Sequence, residues 1–535
     1  MSAVIVDNVI KSTVRNVQFP NVDAAELFKD VFIKFKDKVA LVHCTTGVSL
    51  TFGELHETAL RIAAGLQKLG LKPGQKVGIH SGNNLDCFLA VYGAIFAGGL
   101  LVFAPAHLTH HELRYLFGDS QPDFVFCDEK NASKGLEICS TLECVKKLIA
   151  LGQYDGFISI NELKSTSLEE LQLVAKKRTD DTLMIIYSSG TTGMPKGILL
   201  THGNFIAQMI LSGFAGFNMV TPSDVMLSTN PCTHLSGIWI GGASLAAGTT
   251  VVLAPSSEPD VILPAIEKYK ATTMLLFPTY ALKLLQSPLL GKVDTSSLKT
   301  IVVGGSTAPA VVAQGVIEKL KLVSYMHMYG LTETTGPVTM SPRGQLDYIS
   351  TGVPVAMSDM KVVDVHTGEK LGPLKEGEVC IRSPLCSPGY LNRPEATAAL
   401  YDAEGFLRSG DIGYYDENGR FHIVDRQKEM IKCMDLAVSP AELEALLQQH
   451  AAVKEVAVAG VPHPEYVEGA RAFVVLHKDS SHSVTEDELA KIISERLAPH
   501  KHLHGGVEFV KSIPKSDTGK FLRRALRDNY LKAKV

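Results

Sequence analysis

The 535-residue sequence has no basic block. Its 52 Lys and Arg stand against 56 Asp and Glu, a formal net charge of −4 spread along the chain. A binder of nucleic-acid backbone concentrates positive charge, so nucleic acid is excluded as a partner. None of the nine cysteines (Cys44, Cys87, Cys127, Cys139, Cys144, Cys232, Cys380, Cys386, Cys433) stands in a CxxC or Cys/His spacing. This excludes a structural zinc site and predicts thiols kept reduced in an intracellular compartment. The opening MSAVIVDNVIKSTVRN lacks the basic and apolar regions of a secretory signal. The apolar stretch from Phe88 to Phe103 is too short and too Gly-rich to span a bilayer, so no integral membrane segment is predicted. Low-complexity tracts and short-period repeats are missing as well. With 45% hydrophobic and 20% charged residues, what remains is a soluble globular chain long enough for several domains.

From Lys76 onward, short apolar runs alternate with amphipathic stretches at βα spacing. KVGIHSGN, LLVFAPA and PDFVFCD read as strands, with NLDCFLAVYGAIFAGG and HELRYLFGDS as the helices between them. The alternation returns after Asp224: DVMLSTNP, TTVVLAP, TTMLLFPT and LKTIVVGGS are strands, and HLSGIWIGGASLAAG, PDVILPAIEKYKA, YALKLLQS and APAVVAQGVIEKLK are helices. Two doubly wound α/β halves in tandem are predicted. Beyond about Asp347, MKVVDV, GEVCIRS and RFHIVD are separated by turn-rich HTGEK, LGPLKEG and DENGR, the pattern of an antiparallel, barrel-like section. After Asp425, SPAELEALLQQH and TEDELAKIISERL read as capped helices, and VKEVAVAGV and ARAFVVLHK as strands. The predicted class is therefore α/β. A body over residues 1–425 combines two α/β subdomains with the antiparallel section, and a small α+β unit covers residues 426–535.

The most unusual segment is SSGTTGMPKG, Ser188 to Gly197, with three glycines, four hydroxyl residues and one lysine in ten positions. Such a ribbon of N–H and O–H donors suits a polyphosphate. A Walker A loop runs Gly-x4-Gly-Lys-Ser/Thr straight into a helix, whereas here Pro195 precedes Lys196, Gly197 follows it, and the flanking LMIIY and ILLTH read as strands. The segment is predicted to be a loop between two strands. The bland alternative is a Ser/Gly-rich surface linker.

YSSGTTGMPKG resembles the phosphate-binding signature of the adenylate-forming superfamily, which includes acyl-CoA ligases, 4-coumarate–CoA ligases, beetle luciferases and the adenylation domains of peptide synthetases. YGLTETTG at Tyr329–Gly336, GYLNRPEAT, SGDIGYYDENGRFHIVDRQKEMIK and PKSDTGKFLRR follow in the family's order, so the resemblance covers nearly the whole chain. It implies an AMP-forming acid–thiol ligase of the kind used in fatty acid metabolism. A small-molecule carboxylic acid, aryl or fatty, would be activated by ATP with Mg2+ through an acyl-AMP and passed to coenzyme A. Other readings within the family are an adenylating enzyme that loads a carrier protein or another acceptor, and a luciferase-like oxygenase.

In that reaction a carboxylate oxygen attacks the α-phosphorus and pyrophosphate leaves, so catalysis is mostly positioning and electrostatics. The resemblance assigns the β- and γ-phosphates to Ser188, Ser189, Gly190, Thr191, Thr192 and Lys196. Tyr329 and Gly330 belong to the segment for adenine stacking, Thr332 to the phosphate or metal shell, and Glu333 to Mg2+, a hard cation that prefers oxygen. Gly304, Gly305 and Ser306 end a strand where backbone can approach a flat ring, at the edge where open α/β sheets bind ligands. His234, in NPCTHLSG, matches the family's histidine at the mouth of the acyl pocket. Asp411 matches the acceptor of the ribose hydroxyls, Arg426 supports the ribose–phosphate side, and Lys520 matches the lysine that bridges carboxylate and α-phosphate. Each has a bland counterpart: a helix cap for His234, a core tyrosine for Tyr329, a turn cap for Asp411 and a solvated basic helix for Lys520.

The resemblance also implies that the C-terminal unit turns about a hinge in DRQK, Asp425 to Lys428, between an adenylating and a thioester-forming pose. One departure bears on the second pose. Family members commonly read Lys-Gly where this chain has Met434 and Asp435 in IKCMDLAVSP, and a Gln where Ala437 stands. Asp435 adds a Cβ and a negative charge where close backbone approach to the thiol carrier is expected. Transfer to CoA is therefore expected to be slowed, or directed to another acceptor. The terminal Ala533-Lys534-Val535 resembles a peroxisomal address except for its final Val, so peroxisome and cytoplasm both stand as expected locations.

Overall fold

The computed structural model describes residues 3–188, 194–213, 216–305, 310–426, 430–477, 484–514 and 521–534. The chain divides into two compact units. One comprises residues 1–106, 117–187 and 197–425, and the other gathers 107–116, 188–196 and 426–535.

In the first unit, one α/β sheet sets parallel strands side by side in the order Thr182–Ser188, Leu100–Pro105, Lys76–Ser81, Phe124–Asp128 and Lys147–Leu151. The second sets Ser324–Leu331, Thr300–Val303, Thr273–Leu276, Val225–Ser228, Thr250–Leu253 and Val39–His43 in parallel. These strands are continuous apolar runs, as expected where helices cover both faces of a parallel sheet. The doubly wound class expected from the sequence is observed, with one correction. The halves are not wholly in tandem, because Val39–His43 and its partner Ser49–Thr51 reach the second sheet from ahead of the first.

Helices Leu85–Phe96 and Leu235–Ala246 are buried along nearly their whole length. Apolar side chains on every face leave such helices nowhere else to go, and Phe88, Tyr92, Phe205 and Trp239 fill one core with them. The apolar run from Phe88 thus ends its helix at Phe96 and begins a strand at Leu100. No described helix is long and apolar enough to cross a membrane.

A curled antiparallel sheet completes this unit in the order Ala3–Val6, Val9–Ser12, Asp359–Val363, Gly377–Arg382, Leu407–Tyr415 and Phe421–Arg426. The N-terminal hairpin is not among the elements expected from the sequence. Its two-residue turn, Asp7–Asn8, holds both residues at positive φ, 52° and 56°, the geometry that matches strand twist in tight hairpins. Asp411 lies within the strand Leu407–Tyr415 rather than in the expected turn.

The second unit has a sheet ordered Leu436–Val438, Ile431–Cys433, Val467–Leu476 and Val453–His463, with Gly506–Phe509 parallel to Val467–Leu476. Helices Pro440–Leu447 and Glu486–Arg496 lay Leu443, Leu489 and Ile493 into its core. This unit also buries a cation. Lys501 Nζ donates to Glu112 Oε1 at 2.7 Å and to Glu442 Oε1 at 2.9 Å, and burial pushes the Glu442 carboxyl above its ordinary range despite that lysine. Removing one partner of a buried ionic cluster strands the remaining charges. Lys501→Met is expected to cost about 3–5 kcal/mol in urea unfolding. A loss below about 1 kcal/mol would show that the cluster carries no such burden.

Candidate active site

Strands Val225–Ser228, Thr273–Leu276, Thr300–Val303 and Ser324–Leu331 run parallel in one sheet, so their carboxyl ends open on the same edge. The chain leaving these ends carries, in turn, Asn230 to His234, Phe277, Gly304–Gly305 and Tyr329 to Glu333. Ligand sites of open α/β sheets form at this edge. A Cβ at Gly304 would stand 2.6 Å from Met328 Cε, and Gly305, at φ +79°, would place one 2.8 Å from Phe277 Cε1. The positive φ calls for glycine at Gly305, and a Cβ at Gly304 would force the Met328 side chain to move. Ser306 lies outside the described residues.

The strand carrying Tyr329 folds back at once into Gly336–Met340. Gly330 sits where a Cβ would fall 2.2 Å from the Gly336 carbonyl oxygen, so only glycine fits this close approach. In the short 3-10 turn Thr332–Thr334 that follows, the Thr334 hydroxyl accepts from Leu331 N–H at 2.9 Å, and Thr335 donates to the Leu385 carbonyl at 2.7 Å. Thr334 and Thr335 are buried structural hydroxyls, whereas Thr332 and Glu333 keep partial exposure.

Two tyrosines hold the acidic residues here. The Tyr329 hydroxyl donates to Asp411 Oδ2 at 2.8 Å, joining residues 82 positions apart, with Asp411 only 2% exposed. The Tyr390 hydroxyl donates to Glu333 Oε1 at 3.0 Å. Burial, then the Glu333 charge, raises the Tyr390 phenol well above its ordinary value, so it stays a donor. Tyr390 lies in GYLNRPEAT, and the sequence assigns it no role. That motif position was the only signal in the sequence that could have drawn attention to it.

His234 is the N-cap of helix Leu235–Ala246. Its Nδ1 accepts from the Ser236 backbone N–H at 3.2 Å and from the Ser236 hydroxyl at 2.8 Å, and Asn230 Nδ2 donates to that hydroxyl at 3.1 Å. With Nδ1 an acceptor, the ring proton resides on Nε2. The cap reading is borne out by Nδ1, and Nε2 carries the proton. This loop carries one further feature that its local sequence does not signal. Cys232 is disulfide-bonded to Cys87, across 145 residues, which corrects the expectation that all nine cysteines are reduced thiols.

The remaining candidates belong elsewhere or lie outside the described residues. Ser188 ends strand Thr182–Ser188 and Lys196 begins Lys196–Thr201, so the glycine-rich segment does connect two strands. Both residues group with the second unit. Ser189, Gly190, Thr191 and Thr192 between them, and Lys520, lie outside the described residues, and Arg426 is described only as the backbone end of Phe421–Arg426. Met434 and Asp435 form the two-residue turn of the hairpin Ile431–Val438, both at positive φ, 53° and 61°, a conformation that strains Met434 more than Asp435, since Asp tolerates it better than other residues with a Cβ.

Residues 28–391 match the AMP-binding enzyme family, and residues 442–520 match the AMP-binding enzyme C-terminal domain. The chain belongs to the adenylate-forming superfamily of AMP-binding enzymes. It is 34% identical over 500 residues to a luciferin 4-monooxygenase of Nipponoluciola cruciata, covering 92% of this chain and 91% of that protein. It is 31% identical over 531 residues to a probable 4-coumarate–CoA ligase of Dictyostelium discoideum, covering 96% of each. Among solved structures, the amide bond synthetase McbA of Marinactinospora thermotolerans aligns with TM-score 0.83 at 26% identity, over 94% of this chain and 99% of that one.

In this AMP-binding enzyme, burial draws the His234 pKa down to about 4 from the ordinary 6.5, so the ring is neutral at pH 7. The unfolded chain takes up that proton first, and stability is lost as pH falls from about 6.5 toward about 4. The shift corresponds to at most roughly 3 kcal/mol. His234→Gln is expected to flatten the decline over this window in urea unfolding. Parallel curves for variant and parent would contradict the assignment.

Proposed function

We propose that the chain is an ATP-dependent carboxylic acid–CoA ligase that activates an aryl or fatty acid as its acyl-AMP. The observation that carries this reading is the gathering of His234, Gly304–Gly305, Tyr329 and Glu333 at one sheet edge, with Asp411 bonded to Tyr329. On this reading the Tyr329 ring and the bare Gly304–Gly305 backbone take the adenine, and Asp411, an acceptor-only carboxylate, takes the ribose hydroxyls. The neutral His234 offers its Nε2–H to the acid's carboxylate, orienting the oxygen that attacks the α-phosphorus. Lys196 with the hydroxyls of Ser188, Ser189, Thr191 and Thr192 is assigned the β- and γ-phosphates. Arg426 is assigned the ribose–phosphate side, and Lys520 the charge that develops at the α-phosphorus.

Among the described residues no group of three or more His, Cys, Asp or Glu side chains is arranged to hold a metal ion. Mg2+ needs no such cage, because it is held by one or two carboxylates together with substrate phosphates. Glu333, steadied by Tyr390 and flanked by Thr332, fits that requirement. When bound, Mg2+ supplies neutralising charge to the phosphates.

The acceptor has a second reading. The strained Met434–Asp435 turn, and the likeness to an amide bond synthetase, support an amine or a carrier protein in place of the CoA thiol. In either case residues 426–535 act as the mobile part of the enzyme. The test is acid-dependent exchange of pyrophosphate into ATP over a panel of aryl and fatty acids, with thioester quantified when CoA is added. Exchange is expected with at least one acid, and its absence with every acid would overturn adenylation. Lys520→Ala is expected to fold and to lose about 10²-fold or more of the exchange rate, the scale of a lost transition-state contact. Asp435→Gly is expected to raise CoA-dependent thioester formation, and an unchanged rate would refute a role for that turn in choosing the acceptor.

A further inference from the structure

The loop between Ser228 and Leu235 carries His234 and is fastened at several points. Cys232 is disulfide-bonded to Cys87, in the first turn of the buried helix Leu85–Phe96. Next to it, the Thr233 hydroxyl donates to the Ser81 carbonyl at 3.1 Å, and the His234 N–H donates to the Pro231 carbonyl at 3.0 Å. A Cβ at Gly237 would fall 1.9 Å from the Pro231 carbonyl oxygen, so the loop lies directly against the start of its own helix. Ser81 ends a strand of the first α/β sheet and Ser228 ends one of the second. The disulfide therefore ties helix Leu85–Phe96 of the first α/β half to the histidine-bearing loop of the second.

We propose that Cys87 and Cys232 form a redox-responsive cross-link that fixes the loop presenting His234, and so sets the efficiency of acid activation. This rests on the reading of His234 as the residue that orients the substrate carboxylate. The oxidant is a small-molecule disulfide. The Cys232 thiolate attacks it and releases one thiolate, then the Cys87 thiolate attacks the Cys232 sulfur of the mixed disulfide and releases the second. Two protein thiols and one small disulfide become one protein disulfide and two small thiols, with two electrons and two protons passed to the latter. Both sulfurs are fully buried, so exchange in either direction requires local opening of the loop and is slow. Among the other thiols, burial raises those of Cys139, Cys380, Cys386 and Cys433 to about 12, far from the reactive thiolate range.

The cross-link removes freedom from the backbone beside a catalytic group, which is the role of a supporting shell. The full chain, equilibrated for hours in a glutathione disulfide buffer and digested with trypsin without reduction, is expected to yield peptide 77–114 joined to peptide 197–268, two hydrogens lighter than their sum. In Cys87→Ser, backbone amides of residues 229–238 are expected to exchange hydrogen faster than in the oxidised parent. Acid-dependent pyrophosphate exchange is expected to fall about 3- to 10-fold at subsaturating acid, the scale of a small misplacement of an orienting group. Cys232→Ala is expected to reproduce both changes.

Absence of the joined peptide, or unchanged amide exchange and unchanged activity in both variants, would overturn the cross-link. Lack of exchange activity with every acid in every redox state, with the joined peptide and the amide effect present, would instead overturn the adenylation reading and with it the link to catalysis.

Discussion

The buried hydrogen bond from Tyr329 to Asp411 joins the end of a parallel α/β strand to the middle of a strand in the antiparallel sheet. A phenol and a carboxylate buried this deeply require partners, because an unpaired polar group in the interior is costly. Each is a partner to the other, and the contact couples the two sheets beside the candidate site. Gly330 and the Thr332–Thr334 turn follow from it. Once Tyr329 is held, the chain must reverse within a few residues, and Gly330 is the position where any side chain would strike the returning strand.

The same economy runs through the other polar members. His234 closes its helix with one nitrogen and keeps the proton on the other, so a structural demand on the backbone sets the tautomer. Tyr390 steadies Glu333 from a two-residue strand that pairs with the strand after the glycine-rich segment. Its buried phenol stays protonated beside the carboxylate. In both cases burial chooses the protonation state, and a neighbouring side chain chooses the orientation.

Much of this was legible in the sequence because the signals are local. Alternating apolar runs at βα spacing marked the strands whose ends carry the candidate site, and its residues, apart from Asp411 in mid-strand, stand in short motifs beside a strand or helix terminus. What was not legible depends on distant partners. Nothing near Asp411 says that it meets Tyr329, and nothing near Cys87 says that it bonds Cys232, 145 residues away. The edge strand Val39–His43 likewise joins a sheet whose other strands begin far downstream, a choice made by packing rather than by local pattern. The Met434–Asp435 departure was visible as composition. Its physical content, a tight turn at positive φ, needed the hairpin register.

On the proposed reading a carboxylate oxygen of the acid attacks the α-phosphorus of ATP. An acid labelled with 18O in both carboxylate positions, followed through a complete turnover with the acceptor present, reports on that attack. Attack at the α-phosphorus predicts AMP carrying one 18O, since the bridging oxygen stays on phosphorus when the acyl group leaves. AMP without label, or label recovered in pyrophosphate or inorganic phosphate, would contradict the account.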